Sequence, residues 1–221
     1  PSACAVKNTI ASVPKASLVA MIMAFLPILL NFFMGNSTPT VKSNNITRYC
    51  SIRCGFNSMK NIYEGMLKKD GQCLPFQVCE LTKNHLQKIL FIQEQVIVHL
   101  EEKSKLSPLS QEGFASILDG KGLMLGVMVN DELIAFRALL VPQIDEEHLG
   151  KDIGLPNEEL SKVIYQEISC VLPDYRGNQL QKTLAGLIMQ ELGETNHLFR
   201  YVCCTVAPFN IPSLKDKFTQ G

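Results

Sequence analysis

The stretch 167–188, EISCVLPDYRGNQLQKTLAGLI, holds the residues best placed to do chemistry. An apolar, strand-like run ends at Pro173, a short loop carries Arg176 and Gly177, and a helical pattern begins near Gln179. At such a junction the first-turn N–H groups lack helical partners and the helix dipole presents its positive end, so an anion is favoured. Gly177 lets the backbone approach a ligand closely, and Arg176 and Lys182 add positive charge. A pyrophosphate fits this arrangement, although every strand-to-helix turn shares part of it. Neither G-x4-G-K-[ST] nor G-x-G-x-x-G occurs here, which excludes two common nucleotide loops. Cys170 has apolar neighbours and no nearby His to activate it, so it reads as a packed strand residue.

The elements that must position this loop follow from periodicity. Residues 74–81 alternate as a strand, and 83–100 carry a helical stripe of Leu86, Ile89, Leu90, Ile92, Val96 and Ile97. Ser107 or Ser110 caps a second helix through Leu118, broken at Asp119–Gly122. Runs 122–129 and 133–141 predict a hairpin around Asn130-Asp131-Glu132, though no Gly sits in the turn. An acidic, Pro-bounded excursion spans 142–160. A strand over 162–172, the loop, a helix over 179–192, a strand over 200–207 and a last helix from Asn210 complete the pattern. Three consecutive strands followed by a strand–helix–strand unit make an α/β (α+β) chain with a mixed sheet, antiparallel in its first half.

The rest of the chain differs. Over 221 residues the formal net charge is zero, which argues against nucleic-acid binding by phosphate neutralisation. Residues 1–72 nevertheless carry eight Lys/Arg against two Asp/Glu, whereas 73–221 is net acidic. Residues 16–35 are uncharged, and at about 1.5 Å per residue a helix of that length spans a bilayer. This predicts an N-terminal apolar helix within 1–35, read as a membrane anchor or as an extension foreign to the domain, with a cleaved signal as the lesser alternative. Residues 36–72 read as a basic linker, with the sequons Asn36 and Asn45 and a short helix over 57–68. Cys50, Cys54, Cys73 and Cys79 lack tight zinc spacing, and the eight cysteines are taken as free thiols with no metal. His85, His99, His148 and His197 share no metal spacing.

Residues 171–184, VLPDYRGNQLQKTL, resemble the acetyl-CoA pyrophosphate loop of the GNAT superfamily of N-acetyltransferases. Arg176 matches the loop's first position, but Gln179 and Gln181 stand where the family has Gly and Gly/Ala. Residues 206–214, VAPFNIPSL, resemble the family's last strand-to-helix junction, with Asn210 at the position that meets CoA. The resemblance covers 73–221 and implies a GNAT-like mixed central sheet flanked by helices. It also implies that the last two strands of the family are missing here, so that the strand over 200–207 has an exposed edge.

The resemblance further implies acetyl-CoA as co-substrate, bound by Ser169, Cys170 and Val171 along the strand, by Arg176, Gly177, Asn178, Gln179, Leu180, Gln181 and Lys182 at the loop, and by Asn210. The acceptor is an amine-bearing small molecule or protein whose primary amine attacks the thioester directly, with Glu167 as the candidate base and Tyr165 a lesser one. The family's Tyr acid is replaced by Lys217, read as a solvated helix lysine. The alternative is a non-catalytic module that binds CoA. Acetyl-CoA implies a cytoplasmic domain, soluble or held at the inner face of a membrane through 16–35.

Overall fold

The computed structural model describes residues 19–24, 60–195 and 198–218. One mixed sheet organises them. Its strands are β1 (Val19–Ala24), β2 (Asn61–Lys69), β3 (Gln72–Glu80), β4 (Gly122–Val129), β5 (Glu132–Leu140), β6 (Val163–Val171) and β7 (Tyr201–Val206). The spatial order is β1-β7-β6-β5-β4-β3-β2, and only β6 and β7 run parallel. The helices are α1 (Leu86–Val98), α2 (Gln111–Ser116), α3 (Leu149–Asp152), α4 (Asn157–Leu160), α5 (Leu180–Thr195) and α6 (Ile211–Phe218).

Alternation along the central strands sends side chains to two cores. Leu125, Val127, Ala135 and Leu139 pack with Leu180, Leu184 and Ile188 of α5. Met124, Phe136, Ala138 and Cys170 pack with Ile89, Ile92 and Val96 of α1 and Phe114 of α2. β4 and β5 are therefore apolar on both faces, as a covered sheet requires. The hairpin between them needs left-handed residues, and Asn130 (φ 49°) and Asp131 (φ 65°) supply them in place of glycine. Ser110 caps α2, its Oγ accepting from Gly113 N–H at 3.1 Å.

Two expectations for the N-terminal part are corrected. The helix predicted over 57–68 is, from Asn61, the strand β2, paired with β3 from Asn61↔Cys79 to Lys69↔Gln72. The sheet thus reaches back into the stretch read as linker. Tyr63, Met66 and Leu67 fit a pleated surface, and the tight turn at Asp70-Gly71 joins two strands of matched length. The apolar helix expected over 16–35 is also not formed where that stretch is described. Val19–Ala24 is a strand, antiparallel to β7 from Val19↔Val206 to Ala24↔Tyr201. It covers the β7 edge expected to be exposed. The rest of 16–35, both sequons, Cys50 and Cys54 lie outside the described residues. Among the described residues no helix is long and apolar enough to cross a membrane, and no cluster of His, Cys, Asp or Glu suits a metal ion.

Two histidines are structural. His85 Nδ1 accepts from Thr82 N–H at 3.1 Å, and His148 Nδ1 accepts from Gly150 N–H at 3.0 Å. Both bonds need the neutral ring, and burial lowers both pKa values. The unfolded chain therefore binds more protons just below pH 6.5, the ordinary histidine value. Stability is unaffected by these groups above that pH and falls as pH drops through it. Urea midpoints measured at pH 7.5 and 5.5 should show the loss, and replacing His148 and His85 by Gln should flatten it.

Candidate functional site

β6 and β7 are hydrogen-bonded only at their starts, over Val163–Tyr165 and Tyr201–Cys203. Both continue beyond, to Val171 and Val206. The cause is visible in β6. Its register with β5 skips from Gln166 to Ile168, so Glu167 is an extra residue in a β-bulge. A bulge bends its strand, and β6 leaves β7 at that point. Beyond Gln166, β6 pairs with no strand on the β7 side among the described residues, which leaves alternate backbone N–H and C=O groups to an extended ligand.

A groove of 460 Å³ runs from this open strand to the loop beyond it. Ser169, Cys170 and Val171 form one wall, and Arg176, Gly177, Asn178, Gln179, Leu180 and Gln181 the other, with Tyr175 and Val96 of α1 between them. The structure thus brings together nine of the eleven residues expected at the cofactor. Lys182 is exposed on the first turn of α5 and outside the groove wall. Asn210 is outside it too. It caps α6, its Oδ1 accepting from Ser213 N–H at 3.3 Å, while its Nδ2 donates to the Lys105 carbonyl at 3.0 Å.

The loop's shape has identifiable causes. Asn178 bonds both backbone groups of Lys68 on the outer edge of β2, accepting from its N–H at 2.7 Å and donating to its carbonyl at 2.9 Å. Lys69 Nζ lies 4.5 Å over the Tyr175 ring and 3.7 Å from Asp174. The β2–β3 hairpin, unseen in the sequence, therefore props the loop, and Asn178 shapes it through its side chain. The Gln179 carbonyl accepts from Thr183 N–H at 3.0 Å and opens α5. The N–H groups of Leu180, Gln181 and Lys182 stay outside the helix ladder, as an anion site needs.

Gln179 has φ 56° and Gly177 φ 83°. The left-handed backbone that a glycine would supply at 179 is kept, with a glutamine in it and its side chain exposed on the rim. Such a conformation costs a non-glycine residue about 1 kcal/mol. Part of that is offset because glycine loosens the unfolded chain. Gln179→Gly should raise stability by about 0.5 kcal/mol and widen the groove mouth. Thermal unfolding measures the first effect, and a fall in melting temperature would contradict it.

The titratable groups sort by surroundings. Burial pushes the Cys170 thiol up to about 12, so it is no nucleophile at neutral pH. Tyr165 is likewise raised to about 12, and its hydroxyl already accepts from Leu149 N–H at 2.7 Å. Glu167 keeps an exposed side chain, yet the protein around it desolvates its carboxyl and raises the pKa.

Lys217 corrects an expectation. It is not solvated but 7% exposed, its ammonium hydrogen-bonded to Gln166 Oε1 and 3.4 Å from Asp216 Oδ2. Burial, then the nearby Arg137, lowers its pKa to about 8. Arg137, on β5, was missed altogether. It is 1% exposed and faces the same Gln166 and Asp216. The available signal was an arginine inside the apolar run LIAFRALLV, since a buried cation demands a partner.

No protein-family model matches the chain, and no curated protein matches it. Many solved structures do. An N-acetyltransferase from Staphylococcus aureus Mu50 is 14% identical with TM-score 0.50, covering 65% of this chain and 81% of its own. The GNAT domain of S. lividans PAT is 18% identical with TM-score 0.50, covering 72% and 86% respectively. An acetyltransferase of the GNAT family from Streptococcus pneumoniae is 12% identical with TM-score 0.50, covering 66% and 83%. At such identities the likeness speaks for architecture alone, and this chain has the GNAT N-acetyltransferase fold.

Proposed function

We propose that the chain is an acetyl-CoA-dependent N-acetyltransferase acting on a primary amine of a small molecule or protein in the cytoplasm. The observation that carries this reading is the conjunction of the open β6 edge with the first turn of α5 in one groove. The diphosphate of CoA meets the N–H groups of 180–182 beside Arg176. The pantetheine amides pair along Ser169, Cys170 and Val171, which leaves the thioester near the bulge at Glu167. The neutral amine attacks the acetyl carbonyl, and its proton passes to Glu167, directly or through one water. A backbone N–H of β6 steadies the oxyanion. The C–S bond breaks, the amide forms, and the CoA thiolate takes up a proton. Acetyl-CoA is co-substrate, and no metal is assigned a part.

Gln179 and Gln181 on the groove wall favour a second reading, a module that binds CoA without transferring from it. Calorimetric titration with acetyl-CoA followed by a thiol-release assay over an amine panel separates the two. Binding without release selects the second, and absence of binding removes both. Arg176 also carries a prediction. Its charge reaches Cys170 across the groove, lowering that thiol's pKa against the effect of burial. Arg176→Glu should weaken acetyl-CoA about tenfold at low salt and less at high salt, with stability unchanged. Lys182→Glu, off the groove wall, should weaken it by less than half as much. Equal effects would mean that only net charge matters.

A further inference from the structure

Arg137 sits at the centre of β5 among apolar neighbours and is 1% exposed. A guanidinium there is tolerated only where its donors are used, so their destinations say what it holds. Nη2 donates to Gln166 Oε1 at 2.6 Å, and Gln166 is the first β6 residue past the last pair with β7. Nη1 donates to the backbone carbonyl of Gln181 at 3.3 Å, in the first turn of α5 and on the groove wall. Both nitrogens lie 3.3 Å from Asp216 Oδ2 on α6. A planar, rigid group thus joins three elements that meet at the parting of β6 and β7.

We propose that Arg137 is a positioning residue for the groove, fixing the distance from the first turn of α5 to the open edge of β6. This rests on the reading of the groove as the CoA site. Arg137 does not line the groove and acts through Gln181 and Gln166. If α5 tilts, the N–H groups of 180–182 lose their aim, and the gap that admits an extended chain changes width. A lysine, with one compact charge, cannot span Gln166, Gln181 and Asp216 together.

The experiment compares the full chain with Arg137→Lys, Arg137→Met and Gln166→Leu. Leu192→Val, at the far end of α5, serves as a control that loses stability away from the groove. CoA itself is the probe, by calorimetry at a temperature where every variant is folded. Amide hydrogen exchange over 183–186, the first bonded turn of α5, is read without ligand. Expected are at least tenfold weaker CoA binding for Arg137→Met, a smaller loss for Arg137→Lys, three- to fivefold for Gln166→Leu, and less than twofold for Leu192→Val. Exchange at 183–186 should quicken in the Arg137 variants and not in the control. Should neither Arg137 variant fold, Gln166→Leu decides by the same two readouts. Wild-type affinity and exchange in folded Arg137→Lys, or an equal loss in Leu192→Val, would overturn the proposal. A wild-type chain that does not bind CoA overturns the functional reading instead, and the exchange measurement then judges the positioning by itself.

Discussion

Asp216→Ala should lower the unfolding free energy by about 3 kcal/mol at pH 7, the low end for breaking a buried ion pair. The substitution leaves Arg137 and Lys217, 1% and 8% exposed at their side chains, without the carboxylate that faces both. The low end applies because Asp216 itself keeps 20% of its surface. Lys217 makes the effect depend on pH. Its folded pKa of about 8 lies below the ordinary lysine value. Between the two the unfolded chain binds the extra proton, so this group adds stability as pH rises above about 8. Without Asp216 the folded pKa falls further and the relief begins at lower pH. The deficit of Asp216→Ala against wild type should therefore be smaller at pH 9 than at pH 7. Adding Lys217→Met, which removes one buried cation and keeps the volume, should recover at least half of it. Urea titrations at the two pH values measure this, and a deficit that is the same at both would show that Lys217 does not titrate there.

This cluster also shows where sequence reasoning stops. Local patterns sufficed for β3 to β7 and for α1, α2, α5 and α6, because each has a period or a turn signal in its own residues. They also sufficed for the loop, since a strand end, Gly177 and a helix start are adjacent in the chain. They failed wherever the cause was long-range. β2 looks polar and basic because it is an edge strand, and only its partner β3 makes Asn61–Lys69 extended. Val19–Ala24 has helix-like composition but takes its conformation from the uncovered edge of β7. Lys217 appears solvated on its own helix, whereas Gln166, 51 residues away, draws it inward. Asn178 lines the groove, but Lys68, the residue that holds it there, lies 110 residues earlier. Gln179 stands where the resemblance has Gly. The backbone adopts the glycine-like conformation regardless, a choice set by the tertiary fold.

Glu167→Gln should reduce kcat of the proposed transfer about 100-fold while leaving acetyl-CoA affinity within twofold. The geometry gives Glu167 a place that no neighbour shares. It is the bulged residue, so its side chain leaves the regular alternation of β6 just where the strand parts from β7. Ser169 to Val171, which line the groove, follow within four positions. Desolvation raises its carboxyl above the ordinary value, which makes it a stronger base for an ammonium proton than a solvated glutamate. Tyr165 cannot substitute at neutral pH, with its pKa at about 12 and its hydroxyl engaged by Leu149. The rate should accordingly fall as pH drops through the raised Glu167 pKa, and Glu167→Gln should abolish that limb and leave a flat acid side. Tyr165→Phe should keep the limb and change kcat by less than threefold. Were Glu167→Gln to keep both the rate and the limb, the proton would have to leave the amine by solvent alone. The bulge would then serve only to part the strands.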